Sequence, residues 1–231
     1  MANYLIIGGT SGIGLSLTQH LTNEGHDVVV VSRNNSDELP NDAKHVKGDI
    51  LKDDIQVDFD KIDGLVYCPG SINLKPFKSL KADDFMDDYK INVLGAVNAV
   101  QKFEKQLKKS DRGSIVFFST VAVGQGMPYH ASTAAAKGAV EGLGRSLAAE
   151  WAPKIRVNVI APSITDTPMA GNMLSSDDKK EKSAKRHPLN RIGKPEDIAT
   201  LAAYLLSDHA NWITGQVIGI DGGLSTLRSL Q

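Results

Sequence analysis

The sequence predicts an α/β protein: a doubly wound parallel sheet with helices on both faces. Three observations predict it. Short apolar, β-branched runs alternate along the chain with segments whose apolar residues recur at three- and four-residue steps. The first run, Tyr4-Leu5-Ile6-Ile7, leads through a glycine-rich turn into a helical stripe of Ile13, Leu17 and Leu21 that stops at Gly25. The second run, Val28-Val29-Val30-Val31, is apolar without alternation, as suits a strand covered on both faces.

Bulk properties bound the rest. A chain of 231 residues is expected to form one domain, 1–231, with an ample core. Its formal net charge of −1 gives no basic surplus for nucleic acid or an anionic membrane, and neither is expected as a partner. The single cysteine, Cys68, forms no framework of disulfides and suits a reducing compartment. Met1-Ala2-Asn3 runs straight into the first strand, leaving no room for a signal peptide. No apolar run reaches the roughly 18–20 residues of a membrane span. The expected location is the cytoplasm, and no metal site is expected.

The turn is Gly8-Gly9-Thr10-Ser11-Gly12-Ile13-Gly14. Strand, glycine turn and helix in this order form the setting in which a dinucleotide's pyrophosphate meets the backbone and the positive end of a helix. Gly8, Thr10, Ser11, Gly12, Ile13 and Gly14 are the candidate contacts. The second strand ends at Ser32-Arg33-Asn34, with no acid until Asp37. An acid here would hold the ribose hydroxyls of NAD, whereas an arginine pairs with a 2′-phosphate. Ser32 and Arg33 therefore favour NADP(H), with NAD(H) the alternative.

A third strand is expected at Lys44-His45-Val46-Lys47, followed by Gly48-Asp49-Ile50. Asp49 can reach an adenine amino group or serve as a turn residue; Ile50 is a candidate contact beside it. Leu51 to Lys61 is too short for a full helix before the strand Gly64-Leu65-Val66-Tyr67. Pro69 and Gly70 then offer a backbone wall beside a cofactor. From Ala82 to Lys108 the spacing predicts one long amphipathic helix, with Phe85, Tyr89, Val93, Val97, Val100, Phe103 and Leu107 on its inner face. Asn92 lies in this apolar region and needs partners for its amide, either as a structural bridge or in a proton relay.

A fifth strand, Ser114 to Phe118, closes with Ser119-Thr120. A loop leads through Pro128-Tyr129-His130 to a second long helix ending near Trp151, with Lys137 in its middle. Ala134, Ala135, Ala136, Gly138, Ala139, Gly142 and Gly144 make this helix bare, which suggests close contact with another helix, plausibly of a second subunit. Ile155 to Ile160 is a sixth strand, followed by Ala161-Pro162-Ser163. The polar segment 165–190 reads as a mobile lid over a substrate, although its run Asp177 to Lys182 also suits a solvated helix face. Pro195-Glu196-Asp197 opens another helix, and Val217 to Ile220 is the last strand.

Together these pieces resemble the short-chain dehydrogenase/reductase family over nearly the whole chain. The motifs that carry the resemblance are Gly8-xxx-Gly12-x-Gly14, Asn92-Val93, Ser119-Thr120, Lys137 through Leu143, Arg156-Val157-Asn158 with Pro162 and Thr167, Arg191-x-Gly193-x-Pro195, and Asp221-Gly222-Gly223. The resemblance implies a Rossmann-type sheet of about seven strands, a nicotinamide cofactor, and homodimers or homotetramers built on the two long helices. It adds Pro162, Ile164 and Thr167 to the cofactor contacts and Lys137 to the nicotinamide ribose. It also implies an Asn–Ser–Tyr–Lys active site, in which the tyrosine exchanges the proton, the lysine lowers its pKa and the serine orients the substrate oxygen.

The sequence departs from that pattern. Asn92 and Lys137 match, and Thr120 takes the serine position, but the residue four before Lys137 is Thr133. An aliphatic hydroxyl is a far weaker acid than a phenol and reaches less far. Tyr129, eight residues before Lys137 and about 12 Å along a helix axis, is one substitute acid, and His130 is another. Cys68-Pro69-Gly70 also replaces the family's Asn-Ala-Gly. The reading is an NADP(H)-dependent oxidoreductase for a small-molecule carbonyl/alcohol pair with a non-standard proton donor. The alternatives are a catalytically silent NADP(H)-binding protein and reductive chemistry on C=C or C=N.

Overall fold

In the computed structural model, which describes residues 1–228, the runs become strands of one seven-stranded parallel sheet, buried at its centre and partly exposed at its two edges. In chain order these are β1 (Asn3–Ile7), β2 (Asp27–Ser32), β3 (Lys44–Lys47), β4 (Gly64–Tyr67), β5 (Gly113–Phe118), β6 (Ile155–Pro162) and β7 (Val217–Ile220). Across the sheet they run β3-β2-β1-β4-β5-β6-β7, so the winding reverses between β1 and β4. Leu5 of β1 pairs with Val29 on one side and Leu65 on the other. Every residue of β4 and β5 is buried, which is why neither strand alternates in sequence.

The helices are α1 (Gly12–Asn23), α2 (Ala82–Tyr89), α3 (Gly95–Lys108), α4 (Val121–Gln125), α5 (Ala131–Trp151), α6 (Asp177–Lys185) and α7 (Pro195–Leu206). Side chains alternate along β1 and feed two cores. Leu5 and Ile7 join Phe103, Phe117 and Val140 beneath α3 and α5. Tyr4 and Ile6 join Leu17, Leu21, Ala202 and Leu205 beneath α1 and α7. Among the described residues no helix is long and apolar enough to cross a membrane.

The structure corrects three expectations. The helix expected over Ala82–Lys108 is interrupted by a π turn, Lys90–Leu94. The Tyr67 hydroxyl reaches across from β4 and donates to the Ile91 carbonyl at 2.6 Å. Gly95 makes the room, since a Cβ there would stand 1.9 Å from the Tyr67 oxygen. A π turn carries an extra residue and shifts the phase of everything before it by about 100°. Tyr89, expected inside, is therefore 40% exposed, while Asp88 is 3% exposed in its place.

The loop expected after Thr120 contains α4, whose first turn is capped by Thr120 Oγ1 accepting from the Ala122 N–H at 3.3 Å. The small residues of α5 are divided in use. Gly144 lies against the protein's own sheet, where a Cβ would meet Val159 Cγ2 at 2.7 Å. Ala135, Gly142 and Ala149 stay exposed. The run Asp177 to Lys182 does form a solvated helix face: it lies in α6, which buries no residue and whose first turn Ser176 caps by accepting from the Lys179 N–H.

Candidate active site

A cleft of about 560 Å³ opens at the carboxyl edge of the sheet, across the point where the winding reverses. Backbone builds its first end. Gly8, Thr10, Ser11, Gly12, Ile13 and Gly14 line the cleft between β1 and α1. Gly8 and Gly12 have φ of +81° and +52°, and a Cβ on Gly14 would stand 2.3 Å from the Gly8 carbonyl oxygen. Only glycine fits a chain folded back on itself so closely. The Ser11 side chain makes no cap bond, so the positive end of α1 is open to the cleft.

The end of β2 supplies Ser32 and Arg33, both lining the cleft. The Ser32 hydroxyl donates to the Asn34 carbonyl at 2.7 Å and lies 2.8 Å from His45 Nε2. The Arg33 side chain is exposed, and its guanidinium has no ion-pair partner among the described residues. Asp49 and Ile50 line the cleft beside them. Asp49 is at the same time a turn residue, its Oδ1 accepting from the Leu51 N–H at 3.0 Å. Pro69 and Gly70 after β4, and Pro162, Ile164 and Thr167 at and beyond the end of β6, form the walls toward the other end.

Side chains build that other end. Lys137 of α5 is buried, and its Nζ donates to the Phe118 carbonyl at 2.8 Å. Burial pushes its pKa down to about 8, against the opposing pull of Cys68 and Asp88. Burial likewise pushes the Cys68 thiol up to about 12, with Lys137 opposing. Ser119 and Thr120 both line the cleft, and the Ser119 hydroxyl donates to Glu141 Oε1 at 2.7 Å.

Asn92 sits in the π turn behind this wall. Its Nδ2 donates to the Asp88 carbonyl at 2.8 Å and to Ser71 Oγ at 2.9 Å, while its Oδ1 is buried with no protein donor. A Cβ on Gly70 would lie 3.0 Å from Asn92 Oδ1 and 3.2 Å from Lys137 Nζ, so both groups border one stretch of backbone. Thr133 lines the cleft but turns its hydroxyl away: Oγ1 accepts from the Asn73 N–H at 3.1 Å and lies 3.4 Å from Asp88 Oδ2.

Tyr129 is not among the residues the fold brings together. It precedes α5 with φ of 69°, is 60% exposed and does not line the cleft. His130 does line it, with Nδ1 2.7 Å from the Pro128 carbonyl oxygen. Sequence reasoning missed Ser71, Asn73 and Asp88. Asp88 carried one signal, standing four residues before Asn92 and so on the same helical face.

The enoyl-(acyl carrier protein) reductase family model matches residues 8–225. The 3-oxoacyl-[acyl-carrier-protein] reductase FabG of Thermotoga maritima is 34% identical over 238 residues, 95% of this chain and 96% of its own length. The chain belongs to the short-chain dehydrogenase/reductase family. It is a short-chain oxidoreductase, and its family binds nicotinamide dinucleotides. Two solved structures extend the likeness. Aldohexose dehydrogenase from Thermoplasma acidophilum superimposes with a TM-score of 0.90 at 27% identity, covering 100% of this chain and 96% of that one. The NADP-bound structure of ElxO superimposes with a TM-score of 0.88 at 28% identity, covering 98% and 100%.

Proposed function

We propose that this short-chain oxidoreductase uses NADP(H) to interconvert a carbonyl and an alcohol, with a proton donor other than a tyrosine one turn before Lys137. One observation carries the reading. Lys137 and Thr120 face one end of a cleft whose other end is the glycine turn, and the side chain at position 133 is a threonine occupied by Asn73 and Asp88.

The residues fit a nicotinamide dinucleotide. The turn from Gly8 to Gly14 leaves the N-terminus of α1 without a side-chain cap at the cleft, where a pyrophosphate would be held. Asp49 and Ile50 would border the adenine, and Gly70, Pro69 and Lys137 the nicotinamide ribose. Pro162, Ile164 and Thr167 would flank the ring. Ser32 and Arg33, with no carboxylate beside them at the strand end, favour a 2′-phosphate. When bound, the group supplies or accepts a hydride. In this reading the Thr120 hydroxyl orients the substrate oxygen, the Lys137 ammonium offers positive charge beside it, and Asn92 links the lysine to the wall behind.

The rest of the reading follows from the same cleft. The chain acts as one domain, and 165–190 serves as its lid, because Met169, Met173 and Arg186 line the cleft. The exposed small residues of α5 support a homodimer or homotetramer packed through the long helices. The test is NADPH oxidation over a panel of aldehydes, ketones and imines, with NADPH and NADH affinities measured by fluorescence titration. Turnover of a carbonyl and preference for NADPH are expected. Tight NADPH binding with silence on every compound would instead establish the catalytically silent binding protein.

A further inference from the structure

A buried carboxylate stands behind the catalytic end of the cleft, and nothing above gives it a task. Asp88 is the inward residue of α2. Its Oδ1 accepts the Ser71 hydroxyl proton at 2.5 Å, in the short range of charge-assisted O–H···O⁻ bonds. Its Oδ2 lies 3.4 Å from the Thr133 hydroxyl. A carboxylate out of water is costly unless paired and hydrogen-bonded. Here the two hydroxyls, with Lys137 near enough for its charge to be felt, offset that cost.

Counting hydrogen bonds at Ser71 shows what the pair can do. A serine hydroxyl has one proton and two acceptor sites. The proton goes to Asp88, and one acceptor site takes Asn92 Nδ2. Ser71 itself lines the cleft. Its remaining acceptor site is therefore matched to a donor in the cleft, such as an alcohol hydroxyl.

We propose that Ser71 and Asp88 are the proton relay of this oxidoreductase, in place of a tyrosine. In alcohol oxidation, Ser71 Oγ takes the substrate's hydroxyl proton while the Ser71 proton passes to Asp88 Oδ1. The carbinol carbon gives up its hydride to the oxidised nicotinamide, and the C–O bond becomes C=O. Asp88 then releases the proton to solvent, and reduction runs the same steps backward from protonated Asp88. Ser71 is the catalytic residue. Asp88 acts through it, and Asn92 and Thr133 hold the pair in position. The inference rests on the carbonyl/alcohol reading given above.

The decisive variants are Asp88→Asn, Ser71→Ala and Ser71→Thr. Asparagine can still accept from Ser71 and bond Thr133, so it preserves the hydrogen bonds while removing the proton site. Asp88→Asn and Ser71→Ala are each expected to lower kcat for alcohol oxidation about 10²–10⁴-fold, the usual worth of a positioned acid or base. KM and the NADP⁺ affinity, read by fluorescence titration, should move less than about threefold. The double variant should be no slower than the slower single, because the two act as one unit. Ser71→Thr, which keeps the hydroxyl, should restore most of the rate. On adding alcohol to the NADP⁺ complex, infrared difference spectra should show a protonated carboxyl stretch that Asp88→Asn lacks. Turnover that survives Ser71→Ala and Asp88→Asn overturns the relay and leaves the functional reading standing. If Asp88→Asn fails to fold, Ser71→Ala decides alone. Wild-type protein that binds NADP⁺ yet turns over no alcohol or carbonyl overturns both.

Discussion

At its nucleotide end the cleft is made of backbone: three glycines, a turn folded on itself and the open end of α1. At its other end it is lined by side chains from remote parts of the chain, Ser71, Thr133 and Lys137, with Asp88 and Asn92 behind them, hydrogen-bonded to one another or to carbonyls. A backbone site has few ways to change, because adding one carbon causes a collision. A side-chain site can exchange one donor for another while the scaffold stays the same. The difference explains how the glycine turn can stay fixed while the residue one turn before Lys137 is a threonine.

Four measurements would break or sharpen that contrast, taken from the largest expected effect to the smallest. Gly14→Ala places a Cβ 2.3 Å from the Gly8 carbonyl oxygen. The turn must open, so nucleotide binding should be lost, with a weakening of about 100-fold or more and a lowered Tm. Ordinary nucleotide affinity in this variant would show that the turn is not the cradle.

The second measurement reads the buried charge of Lys137. Its pKa is about 8 when folded and about 10.5 when unfolded. Below pH 8 the ammonium is protonated in both states, and its full burial penalty, about 3 kcal/mol, is in place. Between pH 8 and 10.5 the unfolded chain holds a proton that the folded chain has released, so this group's contribution to stability rises with pH. Urea unfolding of the wild type beside Lys137→Met should show the gap between them shifting in the wild type's favour by that amount across the window. Cys68 works with the opposite sign, since burial raises its folded pKa, and because Lys137 opposes that rise its effect weighs more on Lys137→Met and moves the gap in the same direction. A gap that ignores pH would place the ammonium in water.

Arg33→Ala should weaken NADPH by about tenfold or somewhat more, the worth of one charge-assisted bond, and leave NADH unchanged. Equal losses for both nucleotides would assign Arg33 no part in reading the 2′-phosphate. The smallest effect belongs to Tyr129→Phe. With its residue 60% exposed and outside the cleft, kcat should stay within about twofold of wild type. A large loss would bring the phenol back into the chemistry.

How much of this was legible in the sequence follows the same division. β4 falls on the residues its run predicts, because a strand buried on both faces has no polar phase to obscure it. The glycine turn was legible because it must be glycine. The other end was legible in part: Asn92, Thr120, Thr133 and Lys137 stand out in the sequence, whereas Ser71 and Asp88 do not. Ser71 lies in an irregular stretch after β4, where no periodicity marks a side chain's direction. Asp88 was hidden by arithmetic: a constant α-helical step places Tyr89 inside, and the π turn that reverses the two depends on Tyr67, more than twenty residues earlier. Local propensity cannot report a bond between two distant elements. The same limit applies to Gly144, which reads as a surface suited to a partner but packs on Val159 of its own sheet.

The π turn makes helix α2 a text with two readings offset by one letter. With the Tyr67 hydroxyl wedged against Ile91, the letter facing inward is an aspartate. If the wedge were withdrawn and the turn regularised, residues 82–89 would rotate by about 100° and the inward letter would be the tyrosine beside it. The residue that faces inward behind the cleft is thus tied to a strand residue more than twenty positions earlier. Editing Tyr67 or Gly95 alone would exchange the inward carboxylate for a phenol without any substitution at position 88 or 89.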